Sequence, residues 1–269
     1  MNNNTIVYFK HESLGMRNMI HSLNEVTGII LDHSKHVLQE ATVLRRKGIE
    51  PYELSKVYKK KWELELYNLL IDYFSGELLL LGKDSGIVGN PDAKWVLIAD
   101  LLDGSKNFLS FYVPFYSYNV AIACGNELVF GICIDLARSE VHKAMKGKGA
   151  YVNDVDIREI RKNTYARISL ISNTLIKGYK YLHLGCSSLE ICLVAKGAAK
   201  LAIMSSWNID IAASILIAKE SGLKVLNWNL TKLSFPVREI KRLNYIVGNE
   251  EFITENIDLV RNMVKNIIN

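Results

Sequence analysis

Apolar positions along the chain change their period twice. From about Leu14 to Lys47 they recur mostly at spacings of three and four, through Ile20, Leu23, Val26, Ile30, Val37, Leu38 and Ala41. That spacing predicts one long amphipathic helix, weakened at Gly28 and stopped at Gly48. Pro51 suits the first turn of a second helix, which runs through Trp62, Leu66 and Leu69 to about Phe74, where Gly76 ends it. Short runs then replace the helical period. Leu78–Leu81 and Trp95–Ala99 are apolar, and Tyr118–Cys124, Leu128–Asp135 and Glu140–Met145 are separated by turn residues. These predict strands, the last three as an antiparallel meander. After about Asp156 the pattern alternates. Strands are predicted at Ile168–Ile171, Leu201–Met204, Lys224–Leu226 and Tyr245–Val247, and helices at Ser187–Ala195, Ile211–Ser221 and Glu250–Ile268. A soft boundary near residue 155 divides the chain into 1–155, helices plus antiparallel sheet, and 156–269, an α/β unit, with a cleft shared between them.

Composition narrows the class without naming a function. With 269 residues, 49% apolar and 23% charged, the chain is long enough for a substantial core and is neither disordered nor fibrous. The net charge of +5 would help attract an anionic substrate, but it is too diffuse to argue for nucleic acid. The four cysteines form no metal-binding pattern, and three lie in apolar runs, so a reducing, cytoplasmic setting is expected. The first residues lack a basic stretch followed by an apolar one, so no signal peptide is expected, and no segment reaches the ~20 apolar residues of a membrane span.

The most informative stretch is Asp100-Leu101-Leu102-Asp103-Gly104-Ser105-Lys106-Asn107-Phe108, at the end of an apolar strand. Two carboxylates three apart converge only if the chain turns sharply there. With the carbonyl of Leu102 they would offer the hard oxygen set that Mg²⁺ prefers. Gly104 lets the backbone approach an anion, and the following N–H groups can face phosphate oxygens. The same residues also suit a plain solvent-exposed turn.

This stretch resembles the D-P-[ILV]-D-G-[ST]-x-N-F signature of the inositol monophosphatase-like, metal-dependent, lithium-sensitive sugar phosphatases, with Leu101 in place of the proline. Three further segments follow in the family's order. Gly147-Lys148-Gly149-Ala150-Tyr151-Val152-Asn153 matches its turn after the meander. Gly185-Cys186-Ser187-Ser188-Leu189-Glu190 matches its later helix start, and Asp210-Ile211-Ala212-Ala213 with Glu220-Ser221-Gly222 matches its second signature. Trp207 lies three residues before Asp210 rather than one, and the spacing to Glu220 favours Asp210 over Asn208 as the acid.

The resemblance implies a layered α/β/α/β/α sandwich and a homodimer. It implies Mg²⁺-dependent hydrolysis of an inositol monophosphate or fructose 1,6-bisphosphate, with one or two Mg²⁺ per subunit and Mn²⁺ as a substitute. Asp84, Asp100, Asp103, Asp210 and the Leu102 carbonyl would hold metal. Asp84, Asp103 and Ser105 would serve the attacking water. Gly104 and Ser105 would face the phosphate, with Gly185, Cys186 and Ser187 beside the alcohol portion. A 3′-phosphoadenosine 5′-phosphate phosphatase and a catalytically lapsed binding or regulatory protein are alternatives, because two family acids are altered. The usual Gly-Glu-Glu reads Gly82-Lys83-Asp84, and the acid of the second helix falls among Tyr58-Lys59-Lys60-Lys61. A lysine there either fills a metal's volume or faces solvent, and a solvated face is the expectation. Glu220 is expected to pack or cap, and the scattered histidines to be surface or core residues.

Overall fold

The structure is a computed structural model that describes residues 4–110, 113–165 and 168–268. Helix α1 (Asn4–Arg46) begins about ten residues before the expected start and runs through Gly28 without a break. The second helical run opens with Pro51 at the first position of α2 (Pro51–Glu53). It widens into a π-helical segment, Leu54–Lys59, then continues as α3 (Lys60–Leu70) and a 3-10 turn, Ile71–Phe74. The wider turn, with Lys60 N–H bonded to the Ser55 carbonyl, brings residues five apart nearer to one face than an α-helix does. Leu54 and Lys59 are therefore both buried, and α3 continues that face with Trp62, Glu63, Leu66 and Leu70.

Eight strands make the first sheet: β1 (Leu78–Gly82), β2 (Gly86–Gly89), β3 (Trp95–Asp103), β4 (Ser117–Cys124), β5 (Glu127–Asp135), β6 (Glu140–Met145), β7 (Gly149–Val152) and β8 (Val155–Asp156). Their order is β2-β1-β3-β4-β5-β6-β7-β8, antiparallel except where β1 runs parallel to β3. Short helix α4 (Ser105–Ser110) follows β3.

Helix α5 (Ile157–Lys162), capped by Asp156, leads into the second half. Strands β9 (Ile168–Ile171), β10 (Leu175–Ile176), β11 (Ala199–Trp207), β12 (Lys224–Asn227), β13 (Arg242–Gly248) and β14 (Ile267–Ile268) alternate there with helices α6 (Ser187–Ala195), α7 (Asn208–Glu220), α8 (Glu250–Glu255) and α9 (Ile257–Lys265). The second sheet has the order β12-β13-β11-β9, and β10 pairs with β14. The single closing helix expected over Glu250–Ile268 is instead interrupted at Asn256 and gives way to β14.

Three apolar clusters define the layers. Alternate residues of the first sheet point two ways, as the period-2 pleat requires. Leu78, Leu80, Leu97, Val120, Ile122 and Ile132 face α1 and α3, where Leu23, Val26, Ile30, Trp62 and Leu66 lie. Leu79, Leu81, Val96, Ile98 and Ala121 face α6 and α7 and, beyond them, Met204, Tyr245 and Val247 of the second sheet. The far face of that sheet, with Leu201, Ile203 and Ile246, packs on Ile253, Val260 and Met263. The result is the layered α/β/α/β/α sandwich. Helix α7 lies between the two sheets and is buried along nearly its whole length. It approaches β5 so closely that a Cβ on Gly131 would stand 2.9 Å from the Ala213 Cα.

Candidate active site

The carboxylates meet where β1, β3 and α7 converge. Asp100 and Asp103 are brought together by a bulge rather than a sharp turn. Asp100 pairs with Asn119 and Asp103 with Ser117, so two residues of β3 oppose one of β4. In a regular strand, positions three apart face opposite ways; the extra residue restores them to one face. Asp210 arrives from the first turn of α7. Its backbone is tied to β4, because Asn119 Nδ2 donates to the carbonyls of Asp210 (2.6 Å) and Ile209 (3.3 Å). Asn208 is buried, and its side chain is spent on Pro236, Glu239 and Lys241. Asp210, by contrast, reaches the cleft.

Each carboxylate already has a partner. Asp103 Oδ2 accepts from Ser188 N (3.1 Å) and Oγ (2.7 Å) and from Cys186 Sγ (3.2 Å). Burial, then the negative charge of Asp100, raises its pKa above the ordinary carboxylate value. Asp210 Oδ1 takes the Lys83 ammonium at 2.5 Å. Burial first, then Asp100, pushes Asp210 up to about 7, against the opposing pull of Lys83.

The expectation that the lysine run faces solvent fails at its first member. Lys60 and Lys61 are exposed, but the Lys59 side chain is only 7% accessible. Its ammonium stands 2.9 Å from Asp84 Oδ2 and 3.1 Å from Asp100 Oδ1. Burial disfavours that charge, yet Asp100 and then Asp84 outweigh it and raise the pKa above the lysine value. Asp84 Oδ1 also receives the Ser55 hydroxyl. Behind it, the fully buried Glu63 accepts the backbone N–H groups of Asp84 (3.1 Å) and Ser85 (2.7 Å). Burial pushes Glu63 up to about 7. Asp84 thus meets Lys59 rather than the cavity, while Asp210 reaches the cavity wall and Asp103 turns to Ser188 and Cys186 at the start of α6.

The cleft opens into a cavity of about 570 Å³, lined by the amides of Asn107 and Asn173, the hydroxyls of Ser187, Ser205 and Ser206, the cations Lys106 and Arg242, His183 and Asp210. Gly185 lines it too, held at φ +80 beside Asn107, whose Nδ2 donates to the carbonyls of Leu184 and Phe115. Gly104, at φ +76, has no room for a Cβ, which would stand 2.8 Å from the Phe115 carbonyl oxygen. Cys186 is buried and turns its thiol to Asp103. Arg242 donates to Ser205 Oγ at 2.9 Å. His183 Nδ1 bonds Glu190 Oε1 at 3.0 Å, and Glu190 raises the His183 pKa. Glu220 caps the Gly147-Gly149 turn through both backbone N–H groups. His33 is a core residue bonded to the Tyr118 hydroxyl. Phe111 and Tyr112 lie outside the described residues.

Sequence reasoning missed Ser188, Glu63 and His183 as parts of this region. Ser188 is the neighbour of the residue chosen, and Glu63 follows the lysine run by two positions. An acid on the buried face of a helix was the only signal available for Glu63.

A layered sandwich of this kind, with acids gathered from a bulged strand and a buried helix beside a polar cavity, is a hydrolase architecture of the sugar-phosphatase type. The chain matches the inositol monophosphatase family over residues 20–262 and belongs to that family, whose members are metal-dependent phosphoric monoester hydrolases. It is similar to a fructose-1,6-bisphosphatase/inositol-1-monophosphatase of Methanocaldococcus jannaschii, 27% identical over 196 residues, which covers 69% of this chain and 76% of that one. It is also similar to the Nus factor SuhB of Pasteurella multocida, 29% identical over 171 residues, 56% of this chain and 60% of that one. Among solved structures, an IMPase/NADP phosphatase complexed with Mg²⁺ and phosphate superposes with a TM-score of 0.65 at 20% identity, covering 78% of this chain and 83% of that one.

The residues present do not fit the metal set that the family resemblance implies. Mg²⁺ requires near-octahedral oxygen ligands at about 2.1 Å. Between Asp84 and Asp100 that volume belongs to the Lys59 ammonium. Among the described residues, no group of three or more His, Cys, Asp or Glu side chains is placed to hold a metal ion. No described helix is long and apolar enough to cross a membrane.

Proposed function

We propose that the chain hydrolyses a small phosphate monoester, an inositol monophosphate or fructose 1,6-bisphosphate, in this cleft. The observation that supports the reading is the polar cavity itself. Amides, hydroxyls, Lys106 and Arg242 line it, and Asp210 stands at its edge. Such a lining suits a hydroxyl-rich body carrying an anion. Water attacks phosphorus, the alkoxide leaves with a proton, and inorganic phosphate is released. In this reading Ser105 and Asp103 hold the attacking water. Backbone N–H groups of Gly104 and Ser105 face the phosphate oxygens. Gly185, the Cys186 backbone and Ser187 border the alcohol portion. Lys83 carries positive charge on the cleft side, and Asp84 contributes only by holding Lys59. A cytoplasmic homodimer belongs to the same reading.

The test is phosphate release from inositol 1-phosphate, fructose 1,6-bisphosphate, glycerol 2-phosphate and 3′-phosphoadenosine 5′-phosphate, with Mg²⁺ or with EDTA. Release is expected, and Asp103→Asn should abolish it while the fold is retained. No release from any compound by folded protein would sink the hydrolase reading. The seat of Lys59 favours a second reading, in which the cleft binds a phosphate ester without turnover. Binding without release would be its signature.

A further inference from the structure

We infer that Lys59 and Lys83 are resident cations standing in for divalent ions, so that the acid cluster takes up no metal and anion binding beside it is independent of added Mg²⁺. The clause about anions rests on the proposed phosphate-ester function; the clause about metals does not. Five acids, Glu63, Asp84, Asp100, Asp103 and Asp210, crowd one region and require compensating positive charge. The chain supplies it covalently. Lys59 bridges the buried Asp84 and Asp100, and Lys83 holds Asp210, with 29% of its side chain exposed.

Geometry makes the two kinds of cation alternatives. Asp84 spends one oxygen on Ser55 and the other on Lys59. Asp100 Oδ1 meets Lys59 and accepts from Leu102 N at 3.3 Å. Asp103 Oδ2 carries three donors. A divalent ion bridging Asp84 and Asp100 would have to expel a buried ammonium from the last residue of a π-helical turn. One bridging Asp100 and Asp210 would be repelled by both lysines at short range. A tethered ammonium, unlike a bound ion, cannot be removed by a chelator.

The experiment is a Mn²⁺ titration of the full chain, read by the electron paramagnetic resonance signal of free Mn²⁺. The wild-type chain is expected to leave the free-ion signal unreduced at micromolar Mn²⁺. Stoichiometric uptake would overturn the inference. The double variant Lys59→Asp/Lys83→Glu replaces both cations with acids and should gain uptake. If it is folded by circular dichroism and still takes up none, the lysines are not what excludes the ion. Should that variant not fold, the wild-type titration still decides. Binding of inorganic phosphate, followed by calorimetry, should be equal in Mg²⁺ and in EDTA; about tenfold tightening by Mg²⁺ would overturn the second clause. Absence of phosphate binding in both buffers would instead count against the proposed function, and the Mn²⁺ result would stand apart from it.

Discussion

Replacing Lys59 with methionine keeps most of the side-chain volume and deletes the charge. Two acids then lose their shared cation in a region that water scarcely enters. The Lys59 and Asp84 side chains are 7% and 8% accessible, and Asp100 4%. Removing one member of a buried ion pair typically costs about 3–5 kcal/mol, because the remaining charge is left uncompensated. An exposed pair costs about 1 kcal/mol or less. At about 2–4 °C per kcal/mol for a chain of this size, the melting temperature of Lys59→Met should fall by roughly 6–20 °C. The sign of the pH dependence follows from the raised lysine pKa. Its contribution is fully present below the unfolded value near 10.5 and is lost only as pH climbs through the folded one. Lysine titration therefore leaves this contribution constant through the neutral range. Urea unfolding of both proteins in chelator, followed by far-ultraviolet circular dichroism, reads the difference. A loss below about 1 kcal/mol would place Lys59 with ordinary surface pairs and refute the buried-bridge account.

Two further outcomes follow from burial and close contact. Glu63 and Asp210 are both pushed up to about 7, so the fold prefers them protonated, and stability in chelator should rise as pH falls from 8 to 6.5. Below that, His33, held down at about 4 by burial and then by His36, acts in the opposite sense. A melting temperature that is flat or falling from pH 8 to 6.5 would contradict the burial of those two acids. Gly131→Ala should cost about 1–3 kcal/mol, because its Cβ would meet the Ala213 backbone. Gly28→Ala, on an open helix face, should instead gain about 0.5–1 kcal/mol. Equal melting temperatures for the two variants would mean that α7 does not lie against β5 as described.

The sandwich was legible because each layer carries its own period. Helical spacing marked Leu23 to Ala41, and short apolar runs bounded by turn residues marked the strands between Trp95 and Asp135. The acids at 100, 103 and 210 were legible only through resemblance, because several segments match the family's signatures in the family's order, whereas the D-x-x-D-G stretch alone suits an ordinary turn as well. Lys59 was not, because a π-helical turn breaks the period of 3.6 on which a reading of faces depends. A lysine that looks solvated in an α register is turned inward by one extra residue per turn. The bulge between Asp100 and Asp103 escaped for a related reason, since bulges follow from pairing between strands and leave little trace in either one. His183 was opaque because its partner Glu190 sits seven residues away, across a loop and a helix start.

The position of α7 carries a consequence for how the molecule assembles. Asp210 belongs to the second half of the sequence, yet the helix that bears it is packed against β5 of the first sheet and tied to β4 by Asn119. Asp100 and Asp210, whose charges act on each other, lie more than a hundred residues apart in the chain, and pairings of such sequence separation slow folding. The first sheet can therefore form its hairpins while the acid cluster is still incomplete. Lys83, waiting at the end of β1, meets its carboxylate only when α7 docks. That ion pair therefore reports the docking of α7 on the first sheet, and a fluorophore reading it would separate molecules in which the two are packed together from molecules in which they are not.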